Sequence, residues 1–258
     1  MDKWTEDQLK IAFNLYCKMP FGKMHHRNPE IMKIAKLIGR TPSAVAMKLV
    51  NFASLDPSIT STGRKGLANA SVADKAIWDE FHNDWERLAL ESQDLLSNLE
   101  GEQETLSFPE EIKELEEIDE DYVGEMKTVL AKVRIKQSFF RKAVLSSYQN
   151  RCCMTGLNDE RLLIASHIVP WSKDEKSRLN PRNGLCLSAL HDRAFDKGLI
   201  TVDSQMQIKV SEQVRSLSEN EFAQKSLLAL EGKSISLPEK FLPSEDFLTY
   251  HNNVIFLG

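Results

Sequence analysis

Apolar side chains recur every three or four residues through most of the first 97 positions. Glu6 to Met19, Pro29 to Ile38, Pro42 to Phe52 and Val72 to Leu96 each carry such a face and are expected to be helices. Asn28 before Pro29 and Thr41 before Pro42 read as helix starts, a polar cap followed by a proline whose missing N–H costs nothing in the first turn. Only Gly39-Arg40-Thr41 separates the second and third helices, a spacing that suits both a helix-turn-helix and a plain helical pair. In the first of these, Arg40, Ser43, Lys48 and Asn51 lie on or near the second helix and could face a groove. Trp78, Phe81, Trp85 and Leu88 form one stripe at helical spacing, expected in the core rather than stacked on bases. Between them, Leu55 to Ser71 reads as a Gly-, Ser-, Thr- and Pro-rich surface loop carrying Arg64 and Lys65, suited to touching a phosphate backbone.

After Ser97 the pattern changes. The chain turns polar and acidic to about Val123, a linker composition, although Ile112, Leu115 and Ile118 also fit an acidic helix, and such a segment could cover a basic channel. Met126 to Tyr148 is an amphipathic basic helix: Val129, Val133, Phe140, Val144 and Leu145 line one face, and Arg134, Lys136 and Arg141 are among the cations on the rest. Short apolar runs then follow at Leu162 to Val169 and Leu185 to Leu187. Ser188 caps a helix from Ala189 to Lys197 that Gly198 ends, and Leu199 to Val202 pairs with Met206 to Val210. The expected fold class is α+β: an all-α domain over 1–97, an acidic linker over 98–125, and a domain with strand, strand, helix order over 126–258. In the tail, Leu237-Pro238, Pro243 and His251 are expected to pack on the last domain, with His251 a further candidate site residue.

The net charge of −5 conceals an uneven distribution. Twelve acids and one base lie between Glu100 and Glu125, and setting aside that excess of eleven leaves +6 on the remainder. The first 66 residues hold 11 Lys and Arg against five acids, and Lys127 to Arg151 holds seven cations and no acid, so both are candidate phosphate-facing surfaces. The four cysteines, Cys17, Cys152, Cys153 and Cys186, form no CxxC pair, so no structural zinc is expected and a reduced, cytoplasmic setting fits. No apolar run approaches the ~20 residues that span a bilayer. No basic, apolar leader opens the sequence.

Three short motifs carry chemistry: Ala165-Ser166-His167-Ile168-Val169-Pro170-Trp171, then Asn183-Gly184-Leu185, then Leu190-His191 followed by Phe195-Asp196-Lys197-Gly198. Phe140-Arg141, Val144-Leu145, Tyr148, Arg151-Cys152 and Thr155-Gly156 precede them. Together, over roughly Val133 to Val210, they resemble the HNH (ββα-metal) endonuclease family, and more closely its bacterial restriction-type members. The resemblance implies a nuclease that hydrolyses phosphodiesters. In it His167 is the general base, Asn183 orients it by bonding nearby backbone, and His191 holds a divalent metal, Mg²⁺ or Mn²⁺ or another transition ion.

Two positions depart from the family pattern. Ser166 stands where many members place an aspartate or histidine ligand, and Phe195 stands where some carry a second helix ligand. Ser166 and Asp196 are the weaker ligand candidates, Asp196 lying about 140° around the helix from His191. The expected function is a metal-dependent DNA endonuclease, of a restriction (modification-dependent or not) or phage-defence kind. Its N-terminal helices would select double-stranded DNA, and it would act as a homodimer because one site cuts one strand. A DNA-binding regulator with an inactive module and an RNA-directed nuclease are the alternatives.

Overall fold

Local capping chemistry sets most helix boundaries. In the computed structural model, which describes residues 3–61, 70–101 and 125–258, α1 (Glu6–Lys18) starts at Thr5 in a capping box with Gln8. Asn28 caps α2 (Pro29–Leu37) and Thr41 caps α3 (Pro42–Ala53), each ahead of a first-turn proline. The short α4 (Pro57–Thr60) follows under Asp56. The apolar stretch 72–96 is two helices rather than one. Asn83 closes α5 (Val72–His82), and the Asp84 carboxylate accepts the Arg87 N–H at 3.0 Å to start α6 (Trp85–Glu100). A side-chain cap thus interrupts a periodicity that runs on across it. Trp78, Phe81, Trp85 and Leu88 are all buried, joining Phe13, Tyr16 and Phe52 in an aromatic core.

The α2–α3 pair forms, but three of the four residues expected to face a groove are used inside the protein. The Lys48 ammonium is buried and bonds the buried Asp74 carboxylate at 2.7 Å, above the Trp4 ring. Asn51 is buried on the same helix. Arg40 gives its guanidinium to Gln8 Oε1 at 2.8 and 3.1 Å and to the Lys3 carbonyl at 2.6 Å, while Gln8 Nε2 donates to the Ile38 carbonyl. Arg40 thus holds the start of α1 to the α2–α3 turn and Lys48 holds α3 to the first turn of α5, and of the four only Ser43 is exposed. Beside Ser43 the outer face of α3 offers Met47, an apolar group. Arg64, Lys65 and most of the acidic stretch lie outside the described residues.

Helix α7 (Glu125–Ser147) packs on α1 and α6 on one side and on the strands on the other. β1 (Leu163–His167) pairs antiparallel with β2 (Gly184–Ser188) in a register that sets His167 opposite Gly184 and Ser166 opposite Leu185. Gly184 meets α7 so closely that an added Cβ would lie 2.3 Å from Val144 Cγ2 and 3.1 Å from Phe140 Cζ. α8 (Ala189–Asp196) turns back along the hairpin, and Gly198, at φ +67°, ends it. A second antiparallel pair, β3 (Ile200–Val202) with β4 (Ile208–Val210), precedes α9 (Glu212–Arg215), α10 (Glu221–Ser226) and α11 (Glu245–Tyr250).

Two buried titratable side chains attach the tail. The Lys240 ammonium donates to the carbonyls of Tyr16, Cys17 and Met19 at 2.6 to 3.0 Å, satisfying backbone acceptors that the end of α1 leaves open. Burial pulls its pKa down to about 8, but three carbonyl acceptors and the negative helix end hold the proton at neutral pH. His251 is buried against Phe195, ring centroids 3.6 Å apart, with Nδ1 on Thr201 Oγ1 and Nε2 on the Phe195 carbonyl. It is therefore part of the packing between tail and α8.

Two outcomes follow from these contacts. Gly184→Ala is expected to lower the unfolding free energy by about 1–3 kcal/mol, because Val144 is buried and stiff. Adding Val144→Ala should cost less than the two single changes summed, as a double-mutant cycle in urea would read. Burial pushes the His251 pKa down to about 4, below its unfolded value near 6.5. Protonation therefore favours the unfolded chain: the contribution is complete above pH 6.5 and drains as pH falls towards 4, by on the order of 3 kcal/mol. Unfolding curves across that range should show the loss in the natural chain and a shallower one in His251→Gln.

Candidate active site

His167 is the last residue of β1, where a rigid strand opens into the 168–183 connection. Its ring stacks on Phe140 of α7 at 3.8 Å and 9°, and Trp171 meets it edge-on at 5.6 Å. Nε2 lies 2.9 Å from the Arg178 carbonyl oxygen. A carbonyl only accepts, so Nε2 carries the proton of the neutral ring and the lone pair is on Nδ1. Burial holds the His167 pKa below the usual imidazole range, which keeps the ring in that basic form at neutral pH. The ring borders a cleft of about 340 Å³ lined by Gln137, Phe140, Arg141, Ile164, Ala165 and Trp171.

The Arg178 carbonyl is positioned by Asn183. The buried Asn183 amide accepts the Val169 N–H at 2.8 Å and donates to the carbonyls of Val169 at 3.1 Å and Ser177 at 3.2 Å. One side chain thus ties both ends of the β1–β2 connection, and Arg178 adds a bond from Nε to the Trp171 carbonyl at 2.7 Å. Asn183 reaches His167 only through backbone.

His191 points inward. It is buried, with Nδ1 at 2.7 Å from Ser188 Oγ and Nε2 at 2.8 Å from the Ser226 carbonyl. As placed, neither nitrogen is free to meet a metal, and the ring fastens the start of α8 to the end of α10. Its neighbour Asp192 is turned about 100° away around the helix. Burial raises the pKa of the half-buried Asp192 carboxyl, and the nearby Ser166 hydroxyl and Arg193 charge lower it by less. The net shift is upward. Ser166 Oγ is itself buried and forms no bond of good geometry, so its link to Asp192 is one of proximity. Asp196 is four residues on, on the same face of α8, and the charge of Asp192 adds to burial in raising its pKa.

The topology gathers these groups. β1 and β2 pair with His167 opposite Gly184, and α8 runs back from Ser188 along the hairpin. Its rise brings Asp192 level with Ser166, the residue before His167, and carries Asp196 a turn further along α8. Among the described residues no three His, Cys, Asp or Glu side chains form a metal cage. Two neighbouring carboxylates nevertheless suit a hard divalent cation, which binds one or two of them and completes its shell with water and phosphate oxygens. Cys152, Cys153 and Cys186 are buried free thiols, and burial pushes Cys186 up to about 12.

Of the cations expected at phosphate, Arg141 donates to the carbonyls of Leu163 at 2.7 Å and Glu160 at 3.0 Å, bracing α7 against β1 while lining the cleft. Lys136 is paired with Glu86, and Arg134 is half-buried on α7. Asp192 is the residue that motif reading passes over. Its signal is the i, i+4 spacing to Asp196, against five for His191.

Residues 152–203 match the family model for the HNH endonuclease. The match covers the hairpin, α8 and the start of the second sheet, about a fifth of the chain. No curated protein matches the chain. Among the described residues no helix is long and apolar enough to cross a membrane.

Replacing Asn183 by Ala removes one acceptor and two donors from a buried site. The expected loss is roughly 2 to 4 kcal/mol in urea unfolding, with much faster hydrogen exchange at the Val169 amide. A Val169 amide as protected as before would show that the connection does not depend on this side chain.

Proposed function

We propose, from the HNH endonuclease domain at residues 152–203, that this chain is a metal-dependent DNA endonuclease in which His167 is the general base and Asp192 and Asp196 hold the divalent cation. The observation that carries the reading is the His167 ring. It is wedged between Phe140 and Trp171, kept neutral by burial, and fixed by a carbonyl in the tautomer that leaves Nδ1 basic. A surface histidine would have none of these constraints. Nδ1 would take the proton from an attacking water, and Asn183 acts as a positioning residue by fixing the backbone that Nε2 bonds. A bound Mg²⁺ or Mn²⁺ would supply charge neutralisation at the scissile phosphate. Asp192 and Asp196 would hold it, with Ser166 beside Asp192 as a neighbour rather than a ligand. Asp196 thereby keeps a metal role and His191 gives its own to Asp192, because each helix position is turned about 100° from the next.

The chain carries one such site, so cutting both strands of a duplex takes two chains, and a homodimer is the simplest assembly. In this reading residues 1–97 contribute to target selection and residues 126–258 cut. A restriction or phage-defence role is the biological setting we favour for a nuclease of this kind.

Plasmid cleavage by the full chain with Mg²⁺ or Mn²⁺ tests the proposal. His167→Ala is expected to slow cleavage by about 10²–10⁴. Asp192→Asn and Asp196→Asn should each weaken activation by the metal, seen as a higher half-saturating Mn²⁺ concentration. The rate should rise with pH through a value below 6.5 and level off above it, since the base must be unprotonated and its pKa is lowered. Equal cleavage by the natural chain and His167→Ala, or none by either, would end the nuclease reading.

A further inference from the structure

A second, larger cleft lies next to the first along α7. It holds about 610 Å³ between the end of α1, the Phe21–Lys23 turn and one face of α7. Gln137 and Arg141 line both this cleft and the one that holds His167, so the two adjoin at one turn of α7. Its charge is unbalanced. Glu30 and Glu160 are its acids, against Lys18, Lys23, Arg141, Lys142 and Arg161. Two of those cations are already committed: Arg161 to Asp159 at 2.6 and 2.9 Å, and Arg141 to backbone carbonyls.

The three lysines are not committed in this way. Among the described residues none of Lys18, Lys23 and Lys142 forms an ion pair, and Lys18 has only the face of Phe139, at 5.5 Å. Lys18 is half-buried, and burial, helped by the nearby Lys142 charge and only partly opposed by Glu30, pulls its pKa down to about 8. Like charges held close in a concave, partly desolvated site are costly unless an anion joins them. Lysine, a point charge on a long stem, suits phosphates arriving in sequence along a strand, and Met19, Pro20 and Leu145 offer apolar surface between them.

We infer that this cleft is a nucleic-acid backbone site, in which Lys18, Lys23 and Lys142 take the phosphates flanking the one presented to His167. The inference rests on the nuclease reading and adds to it. It moves the backbone contacts from the α2–α3 turn to the junction of α1 with α7.

The test is the salt dependence of duplex binding by full-length His167→Ala protein, which binds without cutting. Lys23 and Lys142 are exposed, so Lys23→Ser with Lys142→Ser should leave the fold intact. The plot of log affinity against log salt should become less steep by about 1.8, the share of two phosphate contacts. Lys18→Met should reduce it by about 0.9 more. A control pair outside both clefts, Lys209→Ser with Lys225→Ser, should leave the slope unchanged. A slope unaltered in the cleft variants, while the natural chain still cuts DNA, overturns the cleft and leaves the nuclease reading standing. A fall of equal size in the control pair also overturns it, since the contribution would then be diffuse. If the natural chain neither binds nor cuts duplex DNA, both readings fail together.

Discussion

The hairpin reaches its place only because position 184 has no side chain. A Cβ there would overlap Val144, a stiff buried residue in the middle of α7, so any other amino acid would lift the β1–β2 pair off the helix. The close approach brings Phe140 against the His167 ring, one register position across from Gly184. It also lets Arg141 reach the carbonyls of Leu163 and Glu160. Three features of the site, namely the ring's stacking, its partial burial and the brace beside it, therefore depend on one absent methyl group. α7 meets the N-terminal helices with its remaining surface, so the same helix that positions the histidine also connects it to α1.

Long connections without secondary structure usually cannot hold a catalytic group, because their backbone groups are satisfied by mobile water. The 168–183 connection avoids this by using side-chain amides and guanidinium groups in place of a ladder. Asn183 serves three backbone groups and Arg178 a fourth, and the carbonyl left over at Arg178 accepts from His167. The tautomer of the His167 ring is thus set by a loop whose shape is set by an asparagine. Replacing that asparagine would alter the ring without touching it.

Features encoded over a few residues were legible in the sequence, and features that depend on distant partners were not. Proline after Asn28 and Thr41 marked helix starts, and Asn-Gly-Leu marked the entry to β2, because capping and turn chemistry are local. The gap at Asn83-Asp84 was hidden because the apolar stripe continues across it. Lys48 read as a surface cation because the carboxylate that buries it is 26 positions away. His191 read as a ligand because histidine is the residue chemistry expects there, yet its two partners, one close in sequence and one 35 residues on, use both nitrogens. One step along a helix turns a side chain by about 100°, enough to separate the buried His191 from the half-buried Asp192.

The same distinction governs the charges. Counting cations made the first 66 residues look like a nucleic-acid surface, but Arg40 and Lys48 hold helices together, and an ammonium already balanced by a buried carboxylate has little field left for a phosphate. Net charge is a sum over groups in very different states of neutralisation. The informative quantity is the charge left over after internal pairing, and where it is left. By that measure the leftover positive charge collects beside α7, where Lys18 and Lys142 raise each other's cost and the two acids of the cleft, Glu30 and Glu160, are outnumbered by its cations. A folded chain that retains such a repulsion next to its candidate reaction cleft is less stable for it. The arrangement makes physical sense if the missing negative charge arrives with the substrate.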